Sequence, residues 1–223
     1  MTPEIVFLEG IGGNHVRWLL SIDPKFNLPW CNTSSVTDKV NWICENVYKD
    51  RTWHNWLTTE WQYRNQLDTT IKVDHVLNQY PQENWSDTTW QNRKQLILTI
   101  DNCTVAAYHY FMINLGLNTQ TLTSLMLKFK HWNERIEDLK QLNLPSKQIL
   151  PSDCISEPTL NQEWYQKIVA WAGYDDLYDH ASQIHTAYYQ CRQQAAKDFI
   201  KYFEGDEFKS HLDFYKNKYI NQE

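Results

Sequence analysis

The 223-residue chain predicts an α/β fold: a three-layer sandwich around a short parallel sheet, with a helix-rich C-terminal part. Three observations carry this expectation. Ile5-Val6-Phe7-Leu8 and Leu96-Ile97-Leu98-Thr99-Ile100 are continuous apolar runs, the pattern of strands covered on both faces rather than on one. The first run leads into Gly10, Gly12 and Gly13, half of the chain's six glycines, and then into a helical pattern. Most of the remaining sequence spaces its apolar residues at helical intervals, and strands separated by helices form parallel sheets.

Taken in order, the strand over residues 5–8 is followed by a helix with Asn14 as its cap. Val16, Leu19, Leu20 and Ile22 share one face, and Pro24 ends the helix. The stretch from Phe26 to Asp68 is polar and rich in tryptophan, with short helices expected over residues 38–48 and 53–63. Ile71–Val73 reads as a brief strand and residues 81–92 as a surface connection. After the strand at 96–100, Asp101-Asn102-Cys103 turns the chain. Thr104 caps a helix to about Leu115 that Gly116 closes. Residues 121–140 are helical, with Leu122, Leu125, Phe129 and Trp132 in register, and Ile149-Leu150 is a short strand candidate. Residues 161–172 place Trp164, Ile168 and Trp171 on one side before Gly173, and a long helical pattern runs from Asp175 to Glu204. The whole reads as one domain over 1–223, with a helical extension from about 160.

Composition narrows the function classes. The net charge is −6, and no cluster of Lys and Arg forms a stripe, which argues against a nucleic-acid surface. The five cysteines are odd in number and widely spaced, without the Cys/His spacing of a metal site, so no metal and free thiols are expected. No apolar run reaches the roughly 18 residues of a membrane span, and the expected setting is cytoplasmic. Eleven tryptophans and thirteen tyrosines suit a core, and at half-buried positions they also suit flat or sugar-like ligands.

Ligands of parallel sheets bind outside the carboxyl ends of the strands, where residues 10–17, 74–75 and 101–109 are expected to converge. The glycine turn offers backbone N–H groups at a positive helix end, a setting for phosphate or sulfate. Its sequence matches neither GxxxxGK[ST] nor GxGxxG, and a tight turn is the alternative. Arg17, in the first helical turn, reads as a bidentate donor to an anion or as a surface residue. His15 is a donor or acid, or merely polar. His75, at a strand end beside Asp74, suits proton abstraction near neutral pH, or is an ordinary polar residue. Asp101 receives a ribose hydroxyl or caps its turn, and His109 lies on the helix beyond it.

Four segments together resemble the sulfotransferase family, and look most similar to short, divergent members from marine cyanobacterial viruses. "IVFLEGIGGNHVRWLL" occupies the place of the family's strand, phosphosulfate loop and helix. "KVDHVLNQYP" places His75 63 residues after Gly12, with Pro81 six further on, where the family carries its catalytic histidine and a proline. "KQLILTIDNCTVAAYHYF" follows the family's strand, turn and helix, and "WYQKIVAWAGY" its late helix. The resemblance implies a P-loop NTPase-like fold and a sulfuryl transfer from PAPS to a hydroxyl of a sugar or small metabolite. It assigns the phosphosulfate to Gly12, Gly13, Asn14 and His15 with Arg17, the base to His75, and the 3′ end to Asp101 and His109. Trp53, Trp56 and Trp61 would wall the acceptor pocket. The family's loop lysine falls near Ile11 and its 3′-phosphate arginine near Asp101. A non-catalytic binding or scaffold protein and another nucleotide-binding enzyme remain open alternatives at this point.

Overall fold

A computed structural model of the chain describes residues 4–7, 12–26, 28, 31, 34–48, 72–74, 91–100 and 119–202, together with 213 and 217. In chain order these form β1 (Glu4–Val6), α1 (Gly13–Ser21), α2 (Val36–Asn46), β2 (Lys72–Asp74), β3 (Gln95–Thr99), α3 (Thr119–Gln141) and β4 (Lys147–Pro151). A 3-10 turn (Asp153–Ser156), α4 (Gln162–Ala172) and α5 (Tyr178–Tyr202) follow. The expected helices over residues 53–63 and 104–115, and all but the last two residues of the connection at 81–92, lie outside the described residues.

The four strands form one sheet in the order β2-β1-β3-β4, with every neighbouring pair parallel. Ile5 lies opposite both Val73 and Leu96, and Ile97 lies opposite Ile149. All of β1 is buried, as are Gln95 to Leu98 of β3. Adjacent residues of a strand point to opposite faces, so both faces of the central strands are covered. The continuous apolar runs are the sequence form of this burial.

Two boundaries differ from expectation for physical reasons. The cap of α1 is Gly12 rather than Asn14: Gly12 turns the chain with φ 85°, in the left-handed region, and Asn14 falls inside the first turn. The Ile149-Leu150 pair extends to all five residues of β4, because each pairs with a residue of β3. By contrast, α4 starts and stops where local chemistry places it, with Asn161 as cap and Gly173 as terminator.

The core joins the sheet to helices from both halves of the chain. It includes Val16, Leu19 and Leu20 of α1, Val40 and Ile43 of α2, Phe129, Trp132, Ile136 and Leu139 of α3, and Trp164 and Ile168 of α4. From α5 come Ala181, Ile184 and Tyr188, and α5 packs chiefly on α1 and α2. The C-terminal helices are therefore part of the core. Trp18, Trp132 and Trp164 are among its buried side chains.

The strand order fixes where a ligand site belongs. From β1 the chain proceeds to β2 on one side, and from β3 to β4 on the other. The direction reverses between β1 and β3, so the switch point lies at their carboxyl ends. The start of α1 is placed there.

Candidate functional site

The chain leaves β1 at Phe7 and re-enters described structure at Gly12, whose left-handed conformation aims α1 away from the sheet edge. A Cβ on Gly12 would lie 2.6 Å from Ile155 Cγ2 and 3.3 Å from the Tyr188 hydroxyl. A Cβ on Gly13 would lie 2.0 Å from the Phe7 ring. Both glycines thus have packing reasons as well as a possible role beside an anion.

The amides of His15 and Val16 both donate to the Gly12 carbonyl, at 2.9 and 3.3 Å. The N–H groups of Gly13 and Asn14 precede them and have no acceptor within the helix. Among the described residues no side chain caps this end, and its first turn holds no acidic residue, so within the helix itself nothing offsets the positive end. The Asn14 Oδ1 atom is buried, with no hydrogen-bond partner among the described residues.

Arg17 is not on the surface: it is 1% exposed. Side chains in a helix lean toward its N-terminus, so Arg17 covers the turn that contains Gly13 and Asn14. A guanidinium stays charged when buried and holds its place through hydrogen bonds and opposite charge. This burial places a cation on α1, one turn from Gly13.

His15 does something other than expected. It is 1% exposed and turned into the protein, where its Nδ1 lies 3.0 Å from the Tyr48 hydroxyl and its Nε2 lies 3.2 Å from His185 Nδ1. His185 Nε2 lies 2.8 Å from the Glu157 carbonyl oxygen. With both ring nitrogens and its amide engaged internally, His15 is withdrawn from the set of anion donors. Burial, followed by the nearby His185 and then Arg192, holds its pKa well below the usual histidine value, and it stays neutral.

The same region gains a group with no counterpart among the sequence candidates. The Tyr188 ring stacks on His15 at a centroid distance of 3.8 Å and an angle of 8°, and the Arg192 guanidinium carbon lies 4.7 Å from the centroid of the same Tyr188 ring. Arg192 is 3% exposed. Its cation–π contact with a ring that touches the Gly12 turn adds a second buried cation beside the switch point. The available signal is the spacing of His185, Tyr188 and Arg192, which share one face of α5.

Two further arrangements hold the site's borders. At the far end of α1, the Asp23 carboxylate accepts from the amides of Lys25 and Asp175, at 2.8 and 2.9 Å. Buried Lys39 donates its Nζ to the carbonyls of Asp23 and Phe26. At the carboxyl end of β3, the Ile100 amide donates to Asn133 Oδ1 at 3.0 Å while Asn133 Nδ2 donates to the Ile100 carbonyl. The Asn133 amide thereby takes the place of a strand partner for Ile100.

Of the sequence candidates, Gly12, Gly13, Asn14 and Arg17 come together at the switch point, and His15 lies beneath them. His75, Asp101, His109, Trp53, Trp56 and Trp61 lie outside the described residues. Among the described residues no group of three or more His, Cys, Asp or Glu is placed to hold a metal ion, and Cys31, Cys44, Cys154 and Cys191 are free thiols. No described helix is long and apolar enough to cross a membrane. No family model, curated protein or solved structure matches the chain.

Proposed function

We propose that the chain is a sulfotransferase-like enzyme of three-layer, P-loop NTPase-like architecture that transfers a sulfuryl group from PAPS to a hydroxyl of a sugar or small metabolite. The observation that carries this reading is the start of α1. An uncapped, acid-free helix end lies at the switch point of a parallel sheet, with Arg17 buried in its first turns.

That end suits a doubly charged ester, because the Gly13 and Asn14 amides donate and the helix dipole favours negative charge. In the proposed reaction His75 takes the proton from the acceptor hydroxyl, whose oxygen attacks sulfur as the bond from sulfur to the bridging phosphate oxygen breaks. The leaving bisphosphate gains negative charge, and Arg17 steadies it. A donor of this kind contributes about 3–4 kcal/mol of transition-state stabilisation. Position 11 is isoleucine, so this contribution falls to Arg17 in place of a loop lysine.

Calorimetry with PAP, the desulfated product, tests the reading on the intact chain. Binding is expected, and Arg17→Met is expected to weaken it by at least tenfold while the ligand-free variant still melts cooperatively. Absence of PAP binding, together with no labelled sulfuryl transfer to a panel of glycans and metabolites, would overturn it.

A second reading is favoured by the glycine contacts. Phe7 and Ile155 fill the spaces that side chains at positions 13 and 12 would need, and this alone accounts for both glycines. On that reading the same fold serves as a non-catalytic binding or scaffold protein. Arg17→Met would then leave its partner interactions unchanged.

A further inference from the structure

The four groups Tyr48, His15, His185 and Glu157 form a row of hydrogen bonds that crosses from the end of α2, through α1, to α5 and the turn before α4. Its direction follows from one fixed end. A carbonyl oxygen can accept and never donate, so His185 Nε2 carries the proton and donates to Glu157. A neutral His185 then has a bare Nδ1, which accepts from the Nε2–H of His15. The Nδ1 of His15 is bare in turn and accepts from the Tyr48 hydroxyl. In this direction every bond in the row is made with both imidazoles neutral.

We propose that this row is an acid-sensitive latch that holds α5 against α1 and α2. The inference rests on packing alone and is independent of the functional reading above. A first added proton can be accommodated by reversing the row. His185 then donates from both nitrogens, His15 donates to Tyr48, and a full charge rests on a ring shut off from solvent. A second proton puts two N–H groups face to face across the 3.2 Å contact between the rings. Neither state has water to relieve it, since His15 and His185 are 1% and 0% exposed.

The charged neighbours reinforce this. On α5, Arg192 lies over Tyr188, which stacks on His15, and its charge opposes protonation of both histidines. Arg17 is a further buried cation on α1. Glu157, which is exposed, works the other way on His185 through its carbonyl and its charge, but burial outweighs it. The other α5 group that meets this junction, the Cys191 thiol, donates to the Tyr48 carbonyl at 2.9 Å.

The sign is fixed by these shifts. Both folded-state pKa values lie below the ordinary value of 6.5, so the unfolded or undocked state binds protons more readily. The latch is complete above about pH 6.5 and is lost as pH falls from there toward the folded-state values. The loss is up to about tenfold in the docking equilibrium per histidine per pH unit.

Residue-resolved amide hydrogen exchange on the full chain, corrected for the intrinsic pH dependence, reads this directly. Between pH 6.5 and 5.5, protection over residues 184–192 of α5 is expected to drop by about five- to thirtyfold, one histidine giving the lower figure and both the upper, while β3 changes less than threefold. Equal losses in α5 and β3 would mean general acid unfolding and would overturn the latch, as would no change in either. In His15→Gln/His185→Gln the pH response of α5 is expected to flatten, and a response as steep as in the parent overturns the assignment to these two rings. If that variant does not fold, the parent measurement decides alone.

Discussion

The starts of α1 and α4 are built in opposite ways. Asn161 caps α4, its Oδ1 accepting from the Trp164 amide at 2.9 Å, and Glu163 lies in the first turn with Lys167 one turn on, 2.7 Å away. Each part of that start is supplied within seven residues of sequence. The start of α1 has no side-chain cap and no acidic residue in its first turn. Phe7, six residues away, packs under Gly13, but the rest of what fixes it comes from far along the chain: Ile155 and Tyr188 over Gly12, and Tyr48 and His185 on either side of His15. A helix end stabilised by its own neighbours needs nothing else. The start of α1, with no side-chain cap among the described residues, lies at the switch point, where ligands of such sheets bind.

The largest expected effect breaks α1 and leaves α4 intact. Gly13→Ala places a methyl 2.0 Å from the Phe7 ring, which lies in a close-packed core and must move. A destabilisation of about 3 kcal/mol in urea unfolding is expected. Adding Phe7→Leu should restore part of it, and no restoration would place the cause elsewhere. Gly12→Ala is next, at about 2–3 kcal/mol. It combines left-handed strain with a Cβ 2.6 Å from Ile155 Cγ2, a short branched group with little freedom to retreat.

The same contrast explains what the sequence makes legible. Strands β1 and β3 are readable because burial on both faces leaves an unbroken apolar run. The limits of α4 are readable because capping chemistry is local, as Asn161 and Gly173 show. Asn14 is the wrong cap by the same local rule: it has the right chemistry, but the chain turns two residues earlier at a glycine with positive φ. The inward turn of His15 depends on α5, and His185 is 170 residues from His15. No spacing rule joins positions so far apart. On α5 alone, His185, Tyr188 and Arg192 read as an ordinary polar face, and only the docking of that face against α1 gives it meaning.

Smaller effects sharpen the comparison on the α4 side. Asn161→Ala removes one cap and should cost about 1 kcal/mol, read as a shift in the urea midpoint with unchanged slope. The last test sets two glycines against each other. Gly173 ends α4 at φ 78°, close to the 85° of Gly12, yet no atom lies within 4 Å of where its Cβ would be. Gly173→Ala therefore carries conformational strain alone, about 1 kcal/mol, and Gly173→Asn less still, since asparagine tolerates this region. The excess of Gly12→Ala over Gly173→Ala measures what Ile155 and Tyr188 contribute at the start of α1. If the two substitutions cost the same, backbone conformation and not distant packing holds that turn, and the difference drawn between the two helix starts fails.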